Sequence, residues 1–378
     1  MPSLPLTPAA FQQRAHLNGL DGLRGLAILW VIMHHVMNGT DLGWLNVLHD
    51  NGRYGVHLFF VISGFLICTL FLREREATGR ISLGKFYGRR VLRLMPLYYA
   101  VLIAHVALVL IAKQYTVENQ ELFARKMPSY LFYYSNWLPT ATAGPFFCSW
   151  SLAVEEQFYL LFGLLVVLFS TRHLVVAIVA ALITKVAFFT MGGVDSTGST
   201  LWRVLFSYQE PILWGVLLAY ALNDPAIYAR LARWLGRTLV LVGLAAGLVM
   251  WFCLHPMISP TSWDAEITYL AMTFLVAGVV MRSWSPLLNA APLAYIGKIS
   301  YGIYLLHMIA FSVAKKLPGG TNPWLCLLVT TALSLVLAGI TYRWFELPII
   351  NWYKRRLSPM RQKQTGGAPV SAPVPAMP

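Results

Sequence analysis

The sequence predicts an all-α, polytopic membrane protein with about ten transmembrane helices and both termini in the cytoplasm. Three observations carry that expectation. The 378 residues are 57% hydrophobic and only 12% charged, with 13 tryptophans. Ordinary soluble domains hold about 25% charged residues, so a soluble core of this size would lack the polar residues to cover it. Apolar stretches of spanning length recur along the chain. The basic residues gather between alternate stretches, as the positive-inside bias requires.

Taken in order, spans are expected at about 20–38, 54–72, 95–113, 147–170, 174–190, 205–222, 238–254, 265–281, 299–315 and 323–343. The first follows a polar, Pro-rich N-terminus. No small-residue cleavage site comes after it, so it reads as a retained anchor rather than a secretory signal. Between the second and third spans, Arg73, Arg75, Arg80, Lys85, Arg89, Arg90 and Arg93 place their loop in the cytoplasm. Alternation then puts the N-terminus, Arg172, the loops Arg230/Arg233/Arg237 and Arg282/Lys298, and the C-terminal tail on the same side. Of 29 Lys and Arg, all but Arg53, Lys113, Arg125, Lys126, Lys185, Arg203, Lys315 and Lys316 fall inside. An odd number of spans would put one of the two most basic segments outside.

The longest outer connection, about 114–146, is rich in Tyr, Trp and Pro, and its stretch 128–137 is expected at the outer interface, where aromatic rings are favoured. Three regions result: a short cytoplasmic N-terminus (1–17), a membrane-embedded domain (18–350), and a basic, then Pro- and Ala-rich disordered cytoplasmic tail (351–378). No internal repeat is visible. The net charge of +14 follows the loops, which argues against nucleic acid as a partner. Cys68, Cys148, Cys253 and Cys326 are scattered, imply no disulfide framework, and read as packing residues.

Charged and polar groups inside spans are costly and are functional candidates by default. On the first span Arg24 and His35 are eleven residues apart, about 20° past three full turns, so they share a helix face roughly 16 Å apart along the axis. His34 points about 80° away from Arg24. Asp21 and Arg24, at i,i+3, also suit a structural salt bridge. His35, toward the outer part of the span, is a general-base candidate near neutral pH; a plain hydrogen bond to a neighbouring helix is the bland alternative.

The fourth span opens Cys148-Ser-Trp150-Ser-Leu-Ala-Val-Glu155-Glu156-Gln-Phe-Tyr159. Ser151, Glu155 and Tyr159 form a column at i,i+4 steps. A buried carboxylate paired with Arg or His purely for packing is one reading of Glu155. The other is a carboxylate at the depth of His35, holding its tautomer as in a catalytic triad. Arg90 and Arg93, at i,i+3 just before Pro96, suit an anionic cytoplasmic cosubstrate or lipid headgroups. Ser63-Gly64 on the second span suits close helix packing. Tyr304 and His307 sit at i,i+3 on the ninth span, and Arg343 with Glu346 reads as an ion pair closing the tenth. The histidines show no metal-ligand spacing, so no metal is implied.

In this order, these segments resemble the acyltransferase family 3 of integral membrane O-acyltransferases. The matching stretches are Leu20-Asp-Gly-Leu-Arg-Gly25 with His35, Phe59-Phe-Val-Ile-Ser-Gly-Phe65, Arg89-Arg-Val-Leu-Arg-Leu-Met-Pro96, Trp150 through Tyr159, Ser300-Tyr-Gly-Ile-Tyr-Leu-Leu-His307 and Phe345-Glu-Leu-Pro348. The resemblance implies transfer of an acyl group, usually acetyl, from cytoplasmic acyl-CoA to a hydroxyl of a carbohydrate or glycolipid acceptor, in the cytoplasmic (inner) membrane.

The donor would be acetyl-CoA or another acyl-CoA as cosubstrate, with no permanently bound cofactor. The family's motifs map onto Arg24 and His35, onto Glu155, and onto Arg90 and Arg93. His35 would act as general base or transient acyl carrier; Asp21, Ser63, Trp150, Tyr159, Tyr304 and His307 would support the substrates. Some members carry a C-terminal extracytoplasmic hydrolase-like domain, which the 378 residues do not include. The rival expectation is a lipid or sugar transporter using the buried Arg, His and Glu as a relay; against it, no repeated half and no paired Gly/Pro-broken spans are visible. Nothing in the sequence signals an oligomeric state.

Overall fold

The computed structural model describes residues 7–14, 17, 19–43, 46–138, 144–190, 210–255, 263–282 and 285–364. Among them the chain is helical, with no β-strand element: α1 (Pro8–Gln13), α2 (Leu20–Met37), α3 (Asn46–Asp50), α4 (Tyr54–Thr78), α5 (Leu83–Val106), α6 (Val117–Leu131), α7 (Ser149–Leu168), α8 (Thr171–Thr190), α9 (Glu210–Asn223), α10 (Pro225–Leu235), α11 (Thr238–Leu254), α12 (Trp263–Val280), α13 (Ala291–Lys298), α14 (Ser300–Lys316), α15 (Pro323–Thr341) and α16 (Leu347–Gln364). Every expected span coincides with one of these helices, although residues 205–209 of the sixth lie outside the described residues.

Among the described residues, seven helices are long and apolar enough to cross a membrane, counting α4 with the short turn before it, α5 with the π turn after it and α15 with the helix it continues into. Two bent pairs, α9–α10 and α13–α14, are apolar enough taken together and bring the number to nine if each is one span, and α11 is a shorter apolar helix of 17 residues. The chain is therefore an all-α polytopic membrane protein, as only helices or closed barrels satisfy their backbone in lipid.

Local chemistry sets the boundaries. Asp224 accepts from the Ala226 and Ile227 N–H groups at 2.9 Å each, with Pro225 at the first helical position, so α10 starts there. Asn322 and Pro323 open α15 in the same way. Gly79, at φ 73°, closes α4 in the left-handed conformation that glycine adopts without strain.

The interior is built from α4, α12 and α2, the most buried spans, with α8 and α15 at the margin. Backbones approach closely where side chains vanish. A Cβ on Gly64 would overlap the Ile212 carbonyl of α9, and one on Gly215 the Val61 carbonyl of α4. The small residue beside Ser63 thus does what its sequence suggests. Gly64→Val is expected to destabilise the protein by about 1–3 kcal/mol or more, as overpacking does; a lowered thermal transition of the detergent-solubilised protein checks this.

Three features depart from the sequence expectation. The α9–α10 pair bends by 105° and α13–α14 by 78°, although no Gly/Pro-broken spans are expected from the sequence. The first bend follows from the Asp224–Pro225 cap. The second falls at Ile299, where Gly297 packs against the Asp21 carbonyl so tightly that no side chain fits. Beyond α15, a π turn at Tyr342–Glu346 leads into α16, so the basic stretch to Gln364 is helical; residues 365–378, where the Pro- and Ala-rich tail is expected to be disordered, lie outside the described residues. Finally, the N-terminal stretch holds α1, whose Phe11 is buried. Arg73 donates to the Arg14 and Phe11 carbonyls at 2.6 and 2.8 Å.

Candidate active site

α2 and α14 pair in parallel, and their polar groups meet at two levels. At one, Arg24 Nη2–H donates to Ser300 Oγ at 3.1 Å. At the other, His35 Nδ1 and His307 Nε2 lie 2.9 Å apart, with the rings stacked at 5.0 Å between centroids. The unbroken helix from Leu20 to Met37 keeps the two levels roughly 16 Å apart along its axis.

The hydrogen bonds assign the tautomers. His307 Nδ1 sits 2.6 Å from the Tyr304 carbonyl, which can only accept, so this nitrogen carries a proton. In a neutral ring Nε2 then holds a lone pair and accepts from His35 Nδ1–H. The remaining nitrogen of His35, Nε2, is left unprotonated, which is the form a general base needs. His35 is half-buried while His307 is fully buried, so the inner ring orients and the outer one stays reachable. His34 is turned away, its Nδ1 2.6 Å from the His49 carbonyl.

α7 runs antiparallel to this pair and supplies groups at both levels. Beside the histidines, the Cys148 carbonyl accepts from Tyr304 Oη at 3.1 Å, and Ser151 Oγ lies 2.7 Å from the same hydroxyl. Deeper, Tyr159 Oη and Ser63 Oγ are 2.6 Å apart. Glu155 lies against Ser63 and Tyr159, within the field of Arg90 and Arg24. Arg90 covers the Tyr159 ring at 5.2 Å. Arg93 faces Arg24, Arg90, Glu346 and Tyr159, and Asp21 Oδ1 stands 3.7 Å from Arg24 Nη1. A carboxylate between arginines makes the deep level an anion-compatible, hydrogen-bonded centre rather than an unpaired charge.

Most of the residues singled out in the sequence therefore gather at these two levels, but with different neighbours. Glu155 does not adjoin His35; it belongs with Arg24. Because α7 begins at Ser149, Glu155 is about 10 Å further along the helix than Cys148, and the role of orienting the imidazole falls to His307. Arg343 and Glu346 do not pair either. The π turn breaks the α-helical phase, leaving Arg343 exposed and Glu346 buried toward Arg93. Trp150 lies edge-on to Phe60 at 6.0 Å.

Sequence reasoning missed two things. Cys148 stands at the histidine level: one donor atom from each of His35, Cys148 and His307 lies within 4.8 Å of the others. A second buried polar cluster joins α8, α9 and α12, where Lys185 Nζ is 2.7 Å from Glu210 Oε1 and 3.5 Å from Glu266 Oε1. Trp214 Nε1–H donates to Glu266 Oε2 at 2.8 Å. Lys185 within an apolar span was the signal for that cluster.

A family model described as an acyltransferase domain matches residues 17–343. Among curated proteins, the chain is similar to the O-acetyltransferase OatA of Staphylococcus aureus strains NCTC 8325 / PS 47, COL and MW2. It is 28% identical to each over 355 residues, which cover 88% of this chain and 57% of the relative. The chain thus spans a little over half the length of these relatives. No solved structure matches it.

Proposed function

Since the chain belongs to the family of that acyltransferase domain, we propose that it is a membrane O-acyltransferase that moves an acyl group, acetyl first among them, from cytoplasmic acyl-CoA to a hydroxyl of a carbohydrate or glycolipid acceptor. The observation that carries this reading is the relay from the Tyr304 carbonyl through His307 to His35, which leaves a basic nitrogen at one end of a polar path. The arginine-lined level lies at the other end. The similarity to proteins named O-acetyltransferases supports acetyl.

In this account the basic end of the molecule faces the cytoplasm of a bacterial-type inner membrane, and Arg90 and Arg93 hold the phosphates of CoA by charge-assisted hydrogen bonds. The pantetheine arm extends past Arg24 and Glu155 and presents the thioester beside His35. The acceptor hydroxyl attacks the thioester carbonyl carbon while His35 Nε2 takes its proton. The tetrahedral intermediate collapses by breaking the C–S bond, and the imidazolium returns the proton to the departing CoA thiolate. His307 stabilises the imidazolium by accepting from Nδ1–H throughout.

The test compares glycans and glycolipids of cells with and without the gene by mass spectrometry. A mass gain of one acetyl group per site, present only with the gene, is expected; identical spectra would refute the reading. Arg90→Gln is expected to raise KM for acyl-CoA about tenfold or more with kcat largely kept, since a hydrogen bond to a charged group contributes about 1.5–3 kcal/mol. Initial rates against acyl-CoA concentration check this.

A further inference from the structure

Residues 35, 148 and 307 share no ligand spacing in the sequence, yet the fold brings two imidazoles and a thiol from the first, fourth and ninth spans together. We propose that His35, Cys148 and His307 form an inhibitory binding site for a zinc-class divalent cation. The three donor atoms lie within 4.8 Å of one another. A tetrahedral zinc, with Zn–N bonds of about 2.0–2.1 Å and Zn–S of about 2.3 Å, holds its donors roughly 3.3–3.7 Å apart. The two imidazole nitrogens, now 2.9 Å apart, need only open slightly to accept it. Nitrogen and thiolate donors select Zn²⁺ or Cd²⁺ over Mg²⁺ or Ca²⁺, which take oxygen.

The surroundings are those of a metal ligand set. His307 donates its other ring N–H to the Tyr304 carbonyl at 2.6 Å, the support that presents a histidine lone pair to a metal. Tyr304 Oη donates to the Cys148 carbonyl, fixing the backbone that carries the thiol. Cys148 and His307 are 5% and 0% exposed, whereas His35 is half-buried, which leaves a way in and a fourth position for water.

Binding has a defined proton balance. Cys148 releases its thiol proton and bonds the metal as thiolate. His35 gives up the Nδ1 proton to ligate and becomes protonated on Nε2, with no net release from the ring. The nitrogen assigned above as the base is then blocked. This inhibitory effect rests on the acyltransferase reading; the metal site itself does not.

The test titrates the purified full-length chain in nanodiscs with CdCl₂ and follows the thiolate-to-cadmium charge-transfer absorbance. One Cd²⁺ per chain is expected, displaceable by Zn²⁺. The band should vanish in Cys148→Ser, persist in Cys253→Ser, and require at least tenfold more metal in His307→Gln. No saturable band in the wild type, or a band unchanged in Cys148→Ser, overturns the site; if Cys148→Ser elutes as aggregate, the His307→Gln affinity decides. Zinc at the concentration that fills the site should also abolish transfer from labelled acetyl-CoA, with recovery on adding EDTA. Transfer at full rate with the site filled overturns the inhibitory role. Cadmium binding through Cys148 in a chain that transfers no acyl group leaves the site standing and refutes the transferase.

Discussion

His35→Ala is expected to lower acyl transfer by about 10²–10⁴-fold, the contribution of a positioned general base, while leaving acyl-CoA binding intact. The expectation rests on the side chain's single role in the proton path. Its Nδ1 is engaged with His307, and only Nε2 is left to meet a substrate. His34→Ala is the matched control, because that ring is committed to the His49 carbonyl and faces another direction. His307→Gln should fall between the two: an amide still accepts from His35 Nδ1–H but polarises it less. Initial rates with labelled acetyl-CoA in membrane vesicles, normalised to protein level, separate the three variants. Equal rates for His34→Ala and His35→Ala would remove His35 from the chemistry.

The second large effect concerns folding rather than catalysis. Lys185 lies 4% exposed between Glu210 and Glu266, themselves 5% and 7% exposed. Removing the cation leaves two carboxylates facing each other out of water. Breaking a buried pair in this way costs about 3–5 kcal/mol, a large share of the 5–15 kcal/mol that typically holds a domain together, as a rough guide. Lys185→Ala should therefore lower the thermal transition and the monodisperse fraction on size exclusion. Lys185→Met combined with Glu210→Gln should recover most of the loss, since it removes charge from both sides. A transition unchanged in Lys185→Ala would mean that the cluster does not bear on stability.

The helices were legible because each span is an apolar window of sufficient length, and the polar residues inside them stood out as costly. Arg24 and His35 could be placed on one face from their spacing alone, and the structure keeps them on one helix facing α14. What spacing cannot supply is which spans sit side by side. That His307 meets His35, that Ser300 meets Arg24 and that Cys148 stands level with both histidines depend on α2, α7 and α14 packing together. The misplacement of Glu155 came from the span boundary: residues six and seven positions apart on one helix differ in depth by about 10 Å. The bend at Ile299 was invisible because it arises from Gly297 docking on the Asp21 carbonyl, a tertiary contact. The π turn at Tyr342–Glu346 likewise turned an apparent i,i+3 ion pair into two residues facing apart.

The central claim is a path through one membrane domain, from an arginine-lined donor end to His35. It is tested most directly by supplying membrane-impermeant labelled acetyl-CoA to one face of sealed vesicles of known orientation. Acylation of the acceptor is expected only when the donor meets the face carrying Arg90 and Arg93, with its loss in His35→Ala. Acylation driven only from the opposite face, or undiminished in His35→Ala, would contradict it.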